Sequence, residues 1–257
     1  MIKFQKKINK ILITGCYKSG TSFVTHFLND LKNAIFTNEL GIWAIDTNSS
    51  LKNSFFNKFE SEKFQFNNKI DFNKFVFLKN VDLQKTIKNF ENCFDKKIKL
   101  IGDKHPLYLL EIHKYVPYVD KIIFIIRNPY DVIESQINQY FIFKKDLSDF
   151  EFNSLMKIYF PSFKECIECN LNWYKMIMFW DNFYESLKIP FFIINYNKIE
   201  SQLPDLAKFL NINYNELLKS YKKHLNLKRI KKKNILKSDQ VLPKKWLEIA
   251  EKYGVLN

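Results

Sequence analysis

The sequence predicts an α/β protein built on an open parallel sheet of about five strands, flanked by helices. Short β-rich runs alternate with stretches of helical periodicity. Two of the runs, Ile11-Leu12-Ile13 and 122–126, are continuously apolar, as strands covered on both faces must be. No Gly/Ser-rich or Pro-rich linker divides the chain, which reads as one domain over 1–257.

The first strand is placed at 10–14, and the helix after it presents Phe23, Val24, Phe27, Leu28 and Leu31 on one face. The second strand, at 34–37, carries the weakest pattern. Residues 49–80 are dominated by Phe, Asn and Lys with poor periodicity, and read as an insertion that shapes a substrate pocket. Strands at 98–101 and 121–126 follow. A helix then shows Val132, Ile133, Ile137, Tyr140 and Phe141 on one side. Residues 161–187 read as a long helix with Trp173, Ile177 and Trp180 on a packing face, and 191–195 is the fifth strand.

With 257 residues, 46% hydrophobic and 17% aromatic, the chain is too rich in core formers for a disordered protein, and 5 Gly with 7 Pro exclude a fibrous repeat. The net charge of +14 draws such a protein toward anions, although Lys is abundant throughout and compositional bias explains much of the excess. Arginine is scarce: Arg127 and Arg229 are the two in the chain. No apolar run approaches the roughly 20 residues a bilayer span needs, and the basic start leads into a strand-like run, so a cytoplasmic location is expected. Cys16, Cys93, Cys166 and Cys169 read as reduced thiols. The last two have CxxC spacing but no second pair or nearby His, so no metal site is expected.

Chemistry concentrates in Gly15-Cys16-Tyr17-Lys18-Ser19-Gly20-Thr21-Ser22, between the first strand and its helix. That placement turns backbone N–H groups and a helix N-terminus toward an anion. The pattern approaches GxxxxGK[ST], yet Thr21 stands where an ATP-binding loop has its Lys, and the loop's cation is Lys18. A cation there is suited to a group attached to a 5′-phosphate rather than to β- and γ-phosphates.

Tyr-Lys-Ser-Gly-Thr-Ser resembles the 5′-phosphosulfate loop of sulfotransferases that use 3′-phosphoadenosine 5′-phosphosulfate (PAPS), with Tyr17 in place of the usual Pro. The family's second signature is an Arg ending a strand with a Ser eight positions later, and Arg127 and Ser135 match it. The local sequence agrees: Asn128 suits a cap, Pro129 the first helical position and Asp131 the first turn. The resemblance covers roughly residues 8–210. It implies a P-loop sulfotransferase fold, PAPS as sulfuryl donor and no metal.

It also implies that Lys18, Ser19, Gly20, Thr21 and Ser22 cradle the 5′-phosphate, and that Arg127 and Ser135 hold the 3′-phosphate. Tyr196 would touch the adenosine, in a segment where Asn197 replaces the family's usual Glu. Arg229, in the basic run 228–233, would close over the nucleotide. Lys18 and Lys104 are the expected cations at the transferring group. Two candidates for the base are Glu39, which follows Lys18 by 21 positions, and His105, directly after Lys104. Glu39 is favoured because His105 neighbours a Lys facing the nucleotide and so points elsewhere. An ordinary Glu has a pKa of about 4.3 and is ready at neutral pH to accept a hydroxyl proton. The expected acceptor is a small molecule or glycan hydroxyl, in particular a glycan or glycolipid; the oligomeric state is left open. Two other readings compete. A P-loop kinase would need the missing Lys and a metal-holding acid, for which Asp103 is the candidate. A basic nucleic-acid-binding module would need a recognition motif, and none is visible.

Overall fold

A computed structural model describes residues 8–39, 91, 97–146, 148, 188–227 and 241–256. The insertion at 49–80, the helix expected at 161–187, Cys93, Cys166, Cys169 and Arg229 with its basic run all lie outside them.

The described strands are β1 (Asn9–Gly15), β2 (Ala34–Asn38), β3 (Leu100–Lys104), β4 (Lys121–Ile126) and β5 (Phe191–Asn195). They form one sheet in the order β2-β3-β1-β4-β5, and every neighbouring pair is parallel. The helices are α1 (Thr21–Asn29), α2 (Ile112–Tyr115), α3 (Pro129–Asp146), α4 (Ile199–Leu210), α5 (Tyr214–Leu227) and α6 (Lys244–Lys252), with short 3-10 turns between some of them. Ile11, Leu12 and Ile13 are all fully buried, as are Ile122, Ile123 and Ile125. Alternate strand residues point to opposite faces, so both faces of the sheet are covered, as the apolar runs require.

On one face, Phe23, Val24, Phe27 and Leu28 of α1 pack with Ile11, Ile13, Ile123 and Ile125 of the sheet. Leu203 and Leu206 of α4 and Leu217 and Tyr221 of α5 complete that cluster. The face expected on α3 is buried at Val132, Ile133, Ile137 and Tyr140, but Phe141 is 52% exposed. It lies four residues after Ile137, about 40° further around the helix, at the edge of the stripe.

Strand β3 begins two residues and ends three residues later than the sequence suggests, so Gly102, Asp103 and Lys104 belong to the strand. Their polarity is accommodated locally. Thr37 donates a hydrogen bond to Asp103 Oδ1, and the Tyr108 hydroxyl donates to Oδ2 at 2.5 Å. At Gly102 a Cβ would lie 2.3 Å from the Phe36 ring, so the sheet closes there only without a side chain.

Register then decides where the strands stop together. Asn38 pairs with Lys104, Ile13 with Lys104, Gly15 with Ile125 and Ile126 with Asn195. The C-terminal ends of all five strands therefore share one edge, where open α/β sheets bind their ligands.

Candidate functional site

At that edge the loop after β1 turns sharply into α1. Ser19 N–H donates to the Cys16 carbonyl at 3.0 Å, and Lys18 (φ 65°) and Gly20 (φ 100°) both take left-handed backbone. Gly20 meets a second demand: a Cβ there would sit 2.1 Å from the Tyr196 ring. The first turn of α1 contains no acidic residue, so its N-terminal N–H groups face outward with no carboxylate in that turn to occupy them. Ser19 is fully buried, and its hydroxyl has no hydrogen-bond partner among the described residues. That hydroxyl lies on the inner side of the loop, 2.9 Å from where a Cβ on Gly15 would stand.

Arg127 follows β4 and reaches back across the loop. Its Nη1 donates to the Lys18 carbonyl at 3.2 Å, its Nε lies 3.5 Å from Asp131 Oδ2, and its guanidinium carbon lies 4.7 Å from the Tyr196 ring centre. The start of α3 follows the sequence: Asn128 Oδ1 accepts from Tyr130 N–H at 2.9 Å, and Pro129 is the first helical residue. Ser135 lies on α3 and lines the same cleft as Arg127. Tyr196, just past β5, packs edge-on to Phe23, and burial raises its phenol pKa above the usual value, with Arg127 opposing.

On the other side, β2 and β3 deliver Glu39 and Lys104. Glu39 N–H donates to the Lys104 carbonyl at 2.6 Å, and the Lys104 ammonium donates to Glu39 Oε1 at 2.5 Å. Lys104 is only 3% exposed in its side chain, whereas Glu39 is 32% exposed. Lys18 completes the cation cluster, donating from Nζ to Gln139 Oε1 at 3.3 Å. Burial pushes its pKa from the ordinary 10.5 down to about 8; Lys104 acts in the same direction and Glu39 against it.

Lys18, Gly20, Thr21, Ser22, Glu39, Lys104, Arg127, Ser135 and Tyr196 all line one cleft of about 330 Å³. Its described walls carry three cations and one carboxylate, which suits an anionic ligand. Ser19 lies buried beneath the loop instead of at the surface of the cleft. His105 is absent from the described lining. Its ring packs 5.4 Å from that of Tyr108, while its backbone N–H is spent on Ile13. Asp103, the acid a kinase would need, is fully buried with both carboxylate oxygens engaged by Thr37 and Tyr108.

Tyr17, Phe23 and Pro106 also line the cleft, and Gln139 touches Lys18; sequence reasoning assigned none of them to the site. Gln139 was detectable in principle, since it stands four residues after Ser135 and so shares its helix face. Among the described residues, no group of three or more His, Cys, Asp or Glu is placed to hold a metal. No described helix is long and apolar enough to cross a membrane.

Comparison with solved structures gives sulfotransferases. The sulfotransferase STF9 from Mycobacterium avium superposes with a TM-score of 0.51 at 9% identity, covering 96% of this chain and 76% of that one, and it shows the same fold. A sulfotransferase from Alicyclobacillus acidocaldarius scores 0.46 at 14% identity over 96% of this chain and 94% of its own. Mouse sulfotransferase SULT7A1, complexed with PAP, scores 0.43 at 15% identity over 96% and 82%. A search of curated proteins finds no match. Residues 9–253 match the family described as the sulfotransferase domain, and the chain belongs to that family.

Proposed function

We propose that the protein transfers a sulfuryl group from PAPS to a hydroxyl of a glycan or glycolipid acceptor. The observation that carries this reading is the convergence of Lys18, Lys104 and Arg127 on one cleft at the N-terminus of α1. The cleft suits the donor's two anionic ends: Lys18 and the loop at the N-terminus of α1 on one side, and Arg127 with Ser135 on the other. Lys18, Ser19, Gly20, Thr21 and Ser22 would hold the 5′-phosphosulfate, Arg127 and Ser135 the 3′-phosphate, and Tyr196 the adenosine. Arg229 joins this assignment only through the family resemblance.

When bound, PAPS supplies an activated sulfur–oxygen bond. The chain's own residues supply alignment and charge. Glu39 accepts the acceptor hydroxyl proton, Lys104 faces the transferring group, and Lys18 neutralises the charge left on the phosphate oxygen. The Glu39–Lys104 ion pair supports this division, since it sets the carboxylate and the cation side by side in the cleft. His105, turned against Tyr108, is the less suitable base. A glycan acceptor is supported by the Asn-, Lys- and Phe-rich composition of the insertion at 49–80, which offers polar groups for sugar hydroxyls and aromatic faces beside them.

The test is nucleotide discrimination. Arg127→Ala should weaken binding of adenosine 3′,5′-bisphosphate (PAP) by about 2–4 kcal/mol, the scale of a lost charge-assisted phosphate clamp. Binding of 5′-AMP, which lacks the 3′-phosphate, should barely change. Equal losses for both nucleotides in calorimetric titrations would refute the assignment.

A further inference from the structure

We propose that Gln139 is a positioning residue, holding the Lys18 ammonium at the cleft through a neutral acceptor so that its charge stays available to the bound anion. The inference rests on the reading of Lys18 as the cation of the 5′-phosphate, and extends it to a residue on α3.

The geometry is specific. Lys18 leaves the loop from left-handed backbone, its Nζ donates to Gln139 Oε1 at 3.3 Å, and it lies 5.5 Å from the centre of the Tyr17 ring. Gln139 is four residues beyond Ser135 on α3, so one helix face carries both a lining residue of the cleft and the tether for Lys18. An amide oxygen stabilises an ammonium without neutralising it. A second carboxylate beside Lys18 would hold the ammonium more tightly and oppose the approach of an anion. A long Lys side chain also has rotamer freedom to lose on binding, and an acceptor already in place reduces that loss.

The surroundings of Lys18 make the tether consequential. Lys104 approaches from β3 as a like charge and Glu39 from the end of β2 as an opposite one. Arg127, after β4, donates to the Lys18 carbonyl; Tyr196, after β5, packs against Gly20. Tyr17 belongs to the loop itself, and Gln139 reaches Lys18 from α3. Burial lowers the Lys18 pKa to about 8, so its charge is lost within an accessible pH range. The sign follows: PAP binding is strong while the ammonium is charged and falls as pH rises through about 8.

The experiment is calorimetric titration of the full chain with PAP across the neutral and alkaline range. Gln139→Leu removes the acceptor and should move the alkaline limb of affinity down by about half a pH unit or more. Gln139→Glu, which supplies a carboxylate, should move that limb up and lower affinity at neutral pH about tenfold. Lys18→Met should abolish the limb. If Lys18→Met abolishes it but the Leu and Glu variants leave it in place or move it the same way, Gln139 does not position Lys18. If Lys18→Met leaves the limb intact, the assignment of Lys18 to the 5′-phosphate fails, and this inference fails with it.

Discussion

Glu39 sits in a backbone conformation that ordinary side chains avoid, with φ at 63°. Its cost is offset by two bonds to one partner, since Lys104 takes its N–H through the carbonyl and its carboxylate through the ammonium. A residue held this firmly at the mouth of a cationic cleft is suited to receive a proton at a defined point. Glu39→Gln should therefore keep PAP affinity while lowering sulfuryl turnover by about 10²-fold or more, read with labelled PAPS and a pool of acceptors. His105→Ala should do much less, because the ring it removes packs on Tyr108 and is not among the described residues that line the cleft. The reverse pattern, with His105→Ala inactive and Glu39→Gln nearly normal, would transfer the role to His105.

At the scale of elements, β3 shows how a strand with an acid and a base at its end remains a strand. Asp103 is fully buried and its two oxygens accept from Thr37 and Tyr108, which bridge it to β2 and to the 3-10 turn that follows. The pair anchors the strand one residue before Lys104, and so fixes where that ammonium emerges. Tyr108→Phe should cost about 2 kcal/mol of stability in urea denaturation, the scale of a lost hydrogen bond to a buried charged group. Because Asp103 is not part of the cleft lining, PAP affinity should change little. A large loss of affinity with unchanged stability would mean that Asp103 acts at the ligand after all. α3 is the opposite case, with its cap, its proline and its first-turn acid all placed as their local chemistry dictates.

For the whole molecule, the last described segment braces the ends of β4 and β5. Asn195 Nδ2 donates to the Gly254 carbonyl at 2.8 Å and Asn128 Nδ2 to the Leu256 carbonyl at 3.3 Å, each next in sequence to a residue of the cleft, Tyr196 and Arg127. Trp246 of α6 is fully buried and holds that segment down. Trp246→Ala should destabilise the protein by about 3–5 kcal/mol, visible as an earlier denaturation midpoint; an unchanged midpoint would show that α6 contributes nothing to the fold. The order of the described strands and helices, the tight turn before α1 and the spacing of Arg127 and Ser135 were legible in the chain because they are local: apolar periodicity, turn glycines and fixed spacings along one helix. The end of β3 was not, since the partners that let Asp103 stay in a strand, Thr37 and Tyr108, come from β2 and the following turn. The same holds for Gln139, whose part depends on Lys18 arriving from another loop. Sequence by itself determined which residues carry the charge and, Lys104 apart, beside which elements they ride. Only tertiary structure decided that Glu39 meets the Lys104 ammonium and that the His105 ring packs on Tyr108, because contacts between distant segments depend on how the sheet is assembled.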